Sequence, residues 1–333
     1  MSTPTPTPST PRPVRPSVTS VAATASAALP ASQPVSPDPA RKYDLLAIDL
    51  DGTLLCPQGA VSQANRDAIR DARRRGIAVT VCTGRGLAEC KHITDQIDQT
   101  EPVIVAGGSI IADPISGRTL HKFAMDPALV GRVVHLLSSH GHAVLVLKDP
   151  RVAGHDYVVV SERGGEGIDP VTKWWFEKMH VPVRFVAALH EDEHPEHTVR
   201  VGVCGPKRLT DGVAAALREA FADEVTMQHF QAVVPRPDDG DPDGRTLILE
   251  VFSKAANKWS AIEWLAASRS IPHTRIAAIG NDINDVAMLE RAALSIAMGN
   301  AIDEAKAASH RLTLDNSTDG VAHAIERILQ GEW

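Results

Sequence analysis

Leu45-Leu46-Ala47-Ile48 runs straight into Asp49-Leu50-Asp51-Gly52-Thr53-Leu54, and no other stretch restricts what this chain can fold into as much. An unbroken apolar run of this kind describes a strand covered on both faces, as in a parallel sheet. Side chains alternate along a strand, so Asp49 and Asp51 leave it on the same side. Gly52 permits the tight turn that brings backbone amides toward a bound anion. Two like charges at the mouth of a buried strand are costly unless a cation neutralises them or one keeps its proton. The arrangement suits metal-assisted chemistry, with one carboxylate as nucleophile and the other as general acid/base.

The same alternation of short apolar runs and amphipathic stretches continues. Val61–Arg75 reads as a helix with Ala64, Ala68, Ile69 and Ala72 on its apolar side, stopped by Gly76. Ile77–Cys82 is a strand, residues 86–98 a helix and Val103–Ala106 a strand. The pattern returns late in the chain, with a helix over 253–267, a strand at Arg275–Gly280, a helix at Asn284–Arg291 and a strand at Leu294–Met298. A helix after Asn300, a strand at Arg311–Leu314 and a helix at Val321–Leu329 complete it. This predicts an α/β fold, a Rossmann-like parallel sheet flanked by helices. Between the two blocks the texture changes. Val144–Leu147, Tyr157–Val160, Val183–Ala187, Val199–Val203 and Leu247–Val251 are strand-like, and 126–139 and 209–221 are helical. The expected organisation is a tail at 1–40, a core at 41–117 and 251–333, and an inserted α/β domain at 118–250.

Residues 1–40 hold ten prolines, thirteen Ser or Thr and a single carboxylate, Asp38. Such a segment cannot bury enough apolar surface to offset its ordering entropy, so a disordered tail is expected. The stretch behind Arg12 and Arg15 is too rich in Ala, Ser and Thr for a secretion signal, and no later run reaches membrane-spanning length without charge. With 41 acidic against 34 basic residues the formal charge is −7, which gives no nucleic-acid footprint. Arg73-Arg74-Arg75 reads as a solvated helix end. Cys56, Cys82, Cys90 and Cys204 form no CxxC pair and are expected as reduced thiols in a cytoplasmic protein. Neither a nucleic acid nor a membrane is expected as a partner, and both a monomer and a homodimer are compatible with the chain.

Polar clusters follow the apolar strands at Asp49/Asp51, at Thr83 and at Gly280-Asn281-Asp282-Ile283-Asn284-Asp285, with Lys254 and Lys258 near a helix start. Parallel sheets bind ligands at the carboxyl ends of their strands, so three of these clusters share one edge. The available ligands are oxygens, which suits Mg²⁺ better than Zn²⁺. A lysine and a hydroxyl in the same crevice supply a point charge and a directional donor for a phosphoryl group.

Asp-Leu-Asp-Gly-Thr-Leu (49–54), Cys-Thr-Gly-Arg (82–85), Asn-Lys-Trp-Ser-Ala-Ile (257–262) and Gly-Asn-Asp-Ile-Asn-Asp-Val-Ala-Met-Leu (280–289) come in the order of the four motifs of the haloacid dehalogenase superfamily. The chain resembles the Cof-type phosphatase branch of that superfamily, whose C-terminal signature Ala297–Ala301, Asn316 and Asp319-Gly320-Val321 resemble. The resemblance implies a Mg²⁺-dependent phosphatase of small phosphorylated metabolites, phosphosugars before others. It makes Asp49 the nucleophile that becomes an aspartyl-phosphate, and Asp51 the acid/base. Thr83, Gly84, Lys258 and Asn284 would bind the phosphoryl group. Asp49, the Asp51 carbonyl, Asn281 and Asp285 would surround the metal.

Two positions depart from the branch. Asn281 stands where the first Asp of the fourth motif is expected, and an amide oxygen brings no charge to the ion. Asp282 is its understudy. Lys258 is followed by Trp259 where the branch has Gly. Spacing identifies the insertion: Cys82 follows Asp51 by 31 positions, whereas 172 residues lie between Arg85 and Lys258, room for a type II cap. Lys148, Arg151 and Arg200 are candidate substrate contacts in it, against the plainer reading of surface charges. His190-Glu191-Asp192-Glu193-His194 fits the H-E-x-x-H pattern, but Pro195 and flanking strands predict an exposed acidic hairpin loop in place of a zinc helix. Trp174-Trp175-Phe176 suits either packing or ring stacking. The same four motifs would also serve a phosphotransferase or mutase, and Asn281 admits a weakened fold kept for binding.

Overall fold

The computed structural model describes residues 41–232 and 245–333. The expected disordered tail at 1–40 lies outside them.

The chain opens with β1 (Leu45–Asp49), α1 (Gln63–Arg74), β2 (Ala78–Cys82), α2 (Leu87–Gln96), β3 (Val103–Val105), β4 (Ile110–Ala112) and β5 (Thr119–Lys122). Every residue of β1, β2 and β3 is buried, which explains their unbroken apolar sequence. Ser62 caps α1 by accepting the Asn65 N–H at 3.1 Å, a contact of about 1 kcal/mol, and Asn65, Ala68, Ile69 and Ala72 form its buried side. Next come α3 (Pro127–Ser139), β6 (Val144–Lys148), α4 (Pro150–Ala153), β7 (Tyr157–Val160), α5 (Pro170–Lys178), β8 (Val183–Val186), β9 (Thr198–Pro206), α6 (Lys207–Phe221), β10 (Val225–Gln231) and β11 (Thr246–Ser253). The chain then returns through α7 (Lys258–Ser268), β12 (Ile276–Gly280), α8 (Val286–Arg291), β13 (Leu294–Ala297), α9 (Asp303–Ala307), β14 (Arg311–Leu312) and α10 (Gly320–Leu329).

Two sheets result. The first has the order β14-β13-β12-β1-β2-β3-β4-β5, parallel from β14 to β3 and antiparallel beyond. Its centre is β1, in register with β12 on one side and β2 on the other. Helices α1 and α10 pack together, as do α7 and α8. The second sheet has the order β10-β11-β9-β6-β7-β8, antiparallel except for the β7–β8 pair. One of its faces carries Val144, Val146, Val158, Val201, Val203, Leu249 and Val251 into a cluster with α3 and α6. Leu147, Tyr157, Val159 and Val199 instead join the buried cluster of the first sheet.

Several elements differ from expectation. Thr119–Lys122, placed in the insertion by a boundary at 118, is the edge strand β5 of the first sheet, and β11 runs on to Ser253. The helix expected from 253 therefore begins at Lys258, where the Asn257 side chain accepts the Ser260 N–H. His190–His194 is no hairpin loop, because β6 and β7 lie between β8 and β9. Asp192 in that segment is buried and ion-paired with Lys148, itself fully buried. Lys148 and Arg200 are thus not surface charges, whereas Arg151 is exposed. Trp175 and Phe176 pack on Tyr157, with ring centroids 5.7 and 5.3 Å away, while Trp174 is partly exposed beneath Lys178. Trp259 is fully buried, a packing residue.

Candidate active site

The strand register decides which side chains meet. Asp49 pairs with Cys82 and Gly280 with Ala297, so Asp49, Thr83 and Asn281 emerge at one edge of the first sheet. Lys258 reaches the same edge from the first residue of α7. Gly108 fits there because a Cβ would collide with the Asn257 backbone, so the loop after β3 presses directly on the start of that helix.

Lys258 is the hub. Its buried Nζ donates to Asp49 Oδ1 at 2.6 Å, to Asp285 Oδ1 at 2.6 Å and to Asn284 Oδ1 at 3.3 Å. Burial works against the ammonium, yet Asp285 and Asp49 outweigh it and hold its pKa above the usual lysine range. Burial, and then the charge of Asp285, raise Asp49, with Lys258 pulling the other way. Two carboxylates and one ammonium would leave one formal negative charge in a buried crevice, which a cation or a proton on Asp49 offsets. Asp285 Oδ2 accepts the backbone N–H groups of Asn281 (2.8 Å) and Asp282 (3.0 Å), so both its oxygens are engaged. Gly280 allows this approach, since a Cβ there would lie 2.7 Å from that carboxylate.

Asn281 leans across the turn after β1. A Cβ on Gly52, whose φ is +78°, would lie 2.5 Å from one end of the Asn281 side-chain amide. In the amide orientation that satisfies both of its ends, Nδ2 shares its two hydrogens among three acceptors in reach, Thr53 Oγ1 (2.7 Å), the Asp51 carbonyl (2.9 Å) and Asp49 Oδ2 (3.1 Å). A carboxylate oxygen, a backbone carbonyl and a side-chain amide therefore converge. That donor set fits a hard divalent cation such as Mg²⁺ once the amide presents oxygen. Among the described residues no three His, Cys, Asp or Glu side chains form a metal cage, so a cation here depends on the carbonyl and the amide. Asp282 is exposed and caps its own turn through Ile283 N–H at 2.6 Å.

Thr83 is fully buried and its Oγ1 accepts the Arg85 N–H at 3.1 Å, which leaves the hydroxyl proton to donate. Gly84 faces Asn284, whose Nδ2 lies 4.0 Å from where a glycine Cβ would stand. Asp51 is half-exposed and held bidentately by Arg85, through Nε at 2.9 Å and Nη2 at 2.6 Å. Sequence reasoning quoted Arg85 within its motif and missed this pairing. It also missed why Asn300 and Asn316 belong to the site: Asn300 Nδ2 donates to the Gly52 carbonyl (2.8 Å) and Asn316 Nδ2 to that of Leu55 (2.7 Å), pinning the turn that carries Asp51. Lys254 points elsewhere, to the Asp223 carbonyl at 2.9 Å.

Residues 46–325 match the model of the haloacid dehalogenase-like hydrolases. Phosphatase YwpJ of Bacillus subtilis (strain 168) is 29% identical over 300 residues, covering 86% of this chain and 99% of the relative. 5-Amino-6-(5-phospho-D-ribitylamino)uracil phosphatase YwtE of the same organism is 28% identical over 304 residues, with 86% and 99% covered. The solved structure of a haloacid dehalogenase-like hydrolase from B. subtilis superposes with a TM-score of 0.66 at 27% identity, over 85% of this chain and 99% of that one. The chain belongs to the haloacid dehalogenase-like hydrolases and is an enzyme of that family.

Proposed function

We propose that this enzyme is a phosphatase of small phosphorylated metabolites, phosphosugars before others, that uses Mg²⁺ and an aspartyl-phosphate intermediate. One observation carries the reading: buried Lys258 bridges Asp49 and Asp285 at 2.6 Å each, on the strand edge that also carries Thr83 and Asn284. The relatives named as phosphatases support the reaction class. The substrate printed for one of them carries its phosphate on a ribityl chain, in keeping with a polyol.

Asp49, through Oδ, forms the bond to phosphorus while the bond from phosphorus to the leaving oxygen breaks; Asp51 gives that oxygen its proton. Asp51 then takes a proton from the water that hydrolyses the aspartyl-phosphate. With both oxygens on Arg85, Asp51 must release at least one of those bonds to act. Thr83 donates its hydroxyl to a phosphoryl oxygen, beside Gly84 and Asn284. Lys258 balances charge between Asp49 and the phosphoryl group. Mg²⁺, held by Asp49, the Asp51 carbonyl and Asn281, would supply charge that offsets the phosphoryl oxygens. Asp285, expected from the sequence at the metal, has both oxygens engaged and serves this site instead by fixing Lys258 and the turn at Asn281. The region of the second sheet is read as a cap over the site that selects the leaving group.

The test is release of phosphate from an aryl phosphate by purified protein with and without Mg²⁺, followed by a panel of sugar, nucleotide and cofactor phosphates. Release that is independent of Mg²⁺, or undiminished in Asp49→Asn, would overturn the mechanism. Transfer of the phosphoryl group to a sugar hydroxyl in place of water would make the enzyme a phosphotransferase.

A further inference from the structure

One row of side chains on the second sheet meets the loops of the first. Tyr157, Leu147, Arg200 and Phe252 are cross-strand neighbours on β7, β6, β9 and β11. Phe252 rests on Gly107, where a Cβ would lie 2.9 Å from its ring. Arg200, only 6% exposed, spends its guanidinium on three partners: Glu250 Oε1 at 2.7 Å, the Tyr157 hydroxyl, and the Gly84 carbonyl at 3.0 Å. The first two belong to the second sheet; the third belongs to the loop that carries Thr83 and Arg85.

We propose that Arg200 is a positioning residue for the hydrolytic reaction, locking the Gly84–Arg85 peptide unit against the second sheet. The inference rests on the phosphatase reading above. A peptide bond is a rigid plane with a carbonyl at one end and an N–H at the other. Here Arg200 holds the carbonyl of Gly84, and the Thr83 hydroxyl oxygen holds the N–H of Arg85. Fixing both ends prevents the plane from turning. That sets the direction in which the Thr83 hydroxyl donates, and it sets the origin of the Arg85 side chain that grips Asp51. A buried ion pair is seldom retained for stability alone, because apolar residues of similar volume do as well. The planar fork of arginine suits this position because it can serve a carboxylate, a hydroxyl and a carbonyl at once, which an ammonium cannot.

The experiment compares full-length wild type, Glu250→Gln, Arg200→Lys and the double variant Arg200→Met/Glu250→Gln, which removes both members of the ion pair. Each is assayed for Mg²⁺-dependent hydrolysis of p-nitrophenyl phosphate and for amide hydrogen exchange of a peptide spanning residues 83–86. The double variant should keep its far-UV spectrum and KM within about threefold, lose at least tenfold in kcat, and exchange faster at 83–86. Glu250→Gln keeps the contact to Gly84 and should retain kcat within about threefold. Arg200→Lys, folded with Glu250 still paired, should lose kcat like the double variant. If the double variant does not fold, Arg200→Lys carries the test. An unchanged kcat with unchanged exchange would overturn the proposal, and so would a loss confined to KM, which would make Arg200 a substrate contact. If wild type is inactive the phosphatase reading falls, and exchange at 83–86 still decides whether Arg200 locks the loop.

Discussion

The edge of the first sheet and the facing row of the second handle buried charge in contrasting ways. At the edge, the polar groups come from residues close together in short motifs: the carboxylates Asp49 and Asp51, and the amide of Asn284 beside the carboxylate of Asp285. In the second sheet, Tyr157, Arg200 and Glu250 lie far apart in sequence and meet only through strand register. Each region also buries a lysine: Lys258 between Asp49 and Asp285, and Lys148 beside Asp192 and Thr198. The strand-edge groups are written largely in local motifs, while the facing row is written in strand pairing. On the proposed mechanism Lys258 serves the reaction, whereas Lys148 serves the architecture of the second sheet.

The largest effect should come from Asp49→Asn. It should lower kcat by at least ~10³-fold with the fold intact, because no other group replaces the nucleophile; a steady-state assay checks it, and near-normal turnover would remove the contrast altogether. Lys258→Met and Lys148→Met should each cost about 3–5 kcal/mol in urea unfolding, since each strands buried carboxylate charge. Only Lys258→Met should also abolish turnover in the folded protein. Equal loss of turnover in Lys148→Met would mean that the second sheet joins the chemistry directly.

A smaller effect concerns Glu89, which lies beneath the loop between Arg85 and Arg200. Burial raises its pKa from 4.5 to about 7, against the pull of Arg200 and of its bond from Gly86 N–H. The unfolded chain then ionises first as pH rises. Stability is therefore lost between pH 4.5 and 7 and stays lower above it, by up to about 3 kcal/mol. Glu89→Gln should remove that dependence: urea midpoints of the two proteins should coincide near pH 4.5 and diverge in favour of the variant at pH 8. Parallel curves would show that Glu89 ionises without cost. Smallest is Asn281→Asp, which should tighten Mg²⁺ binding by about tenfold in calorimetry, the value of one added charge at a screened site. No change would take Asn281 away from the metal.

The sequence made the alternation of strands and helices readable, together with the residues at the strand ends, because both follow from local pattern. Other elements gave weaker signals. β4 is three residues long and β5 four, and they return antiparallel at an edge where alternation has no room to develop. β10 carries Thr226, Gln228, His229 and Gln231, polar enough to read as loop. α5 did have a usable signal: Asp169-Pro170 places a side-chain cap before a proline at the first helical turn, as Asp126-Pro127 and Asp149-Pro150 do for α3 and α4. The pairing of Asp51 with Arg85 and the burial of Asp192 depend on tertiary approach, which no spacing encodes.

The position of β1 has a consequence for the order in which the protein can be completed. Its partners are β2, made soon after it, and β12, whose Ile276 faces Leu45 across 231 positions of chain. At roughly 5–20 residues per second, the central strand waits on the order of 10–50 s at the ribosome with one apolar edge unpaired. During that interval Asp49 also lacks Lys258, its counter-charge. All six strands of the second sheet are synthesised before β12 appears, so that sheet can close while the first is still half built. The nascent chain thus passes through a stage in which the candidate active site is still incomplete, and an open strand edge is its main hazard.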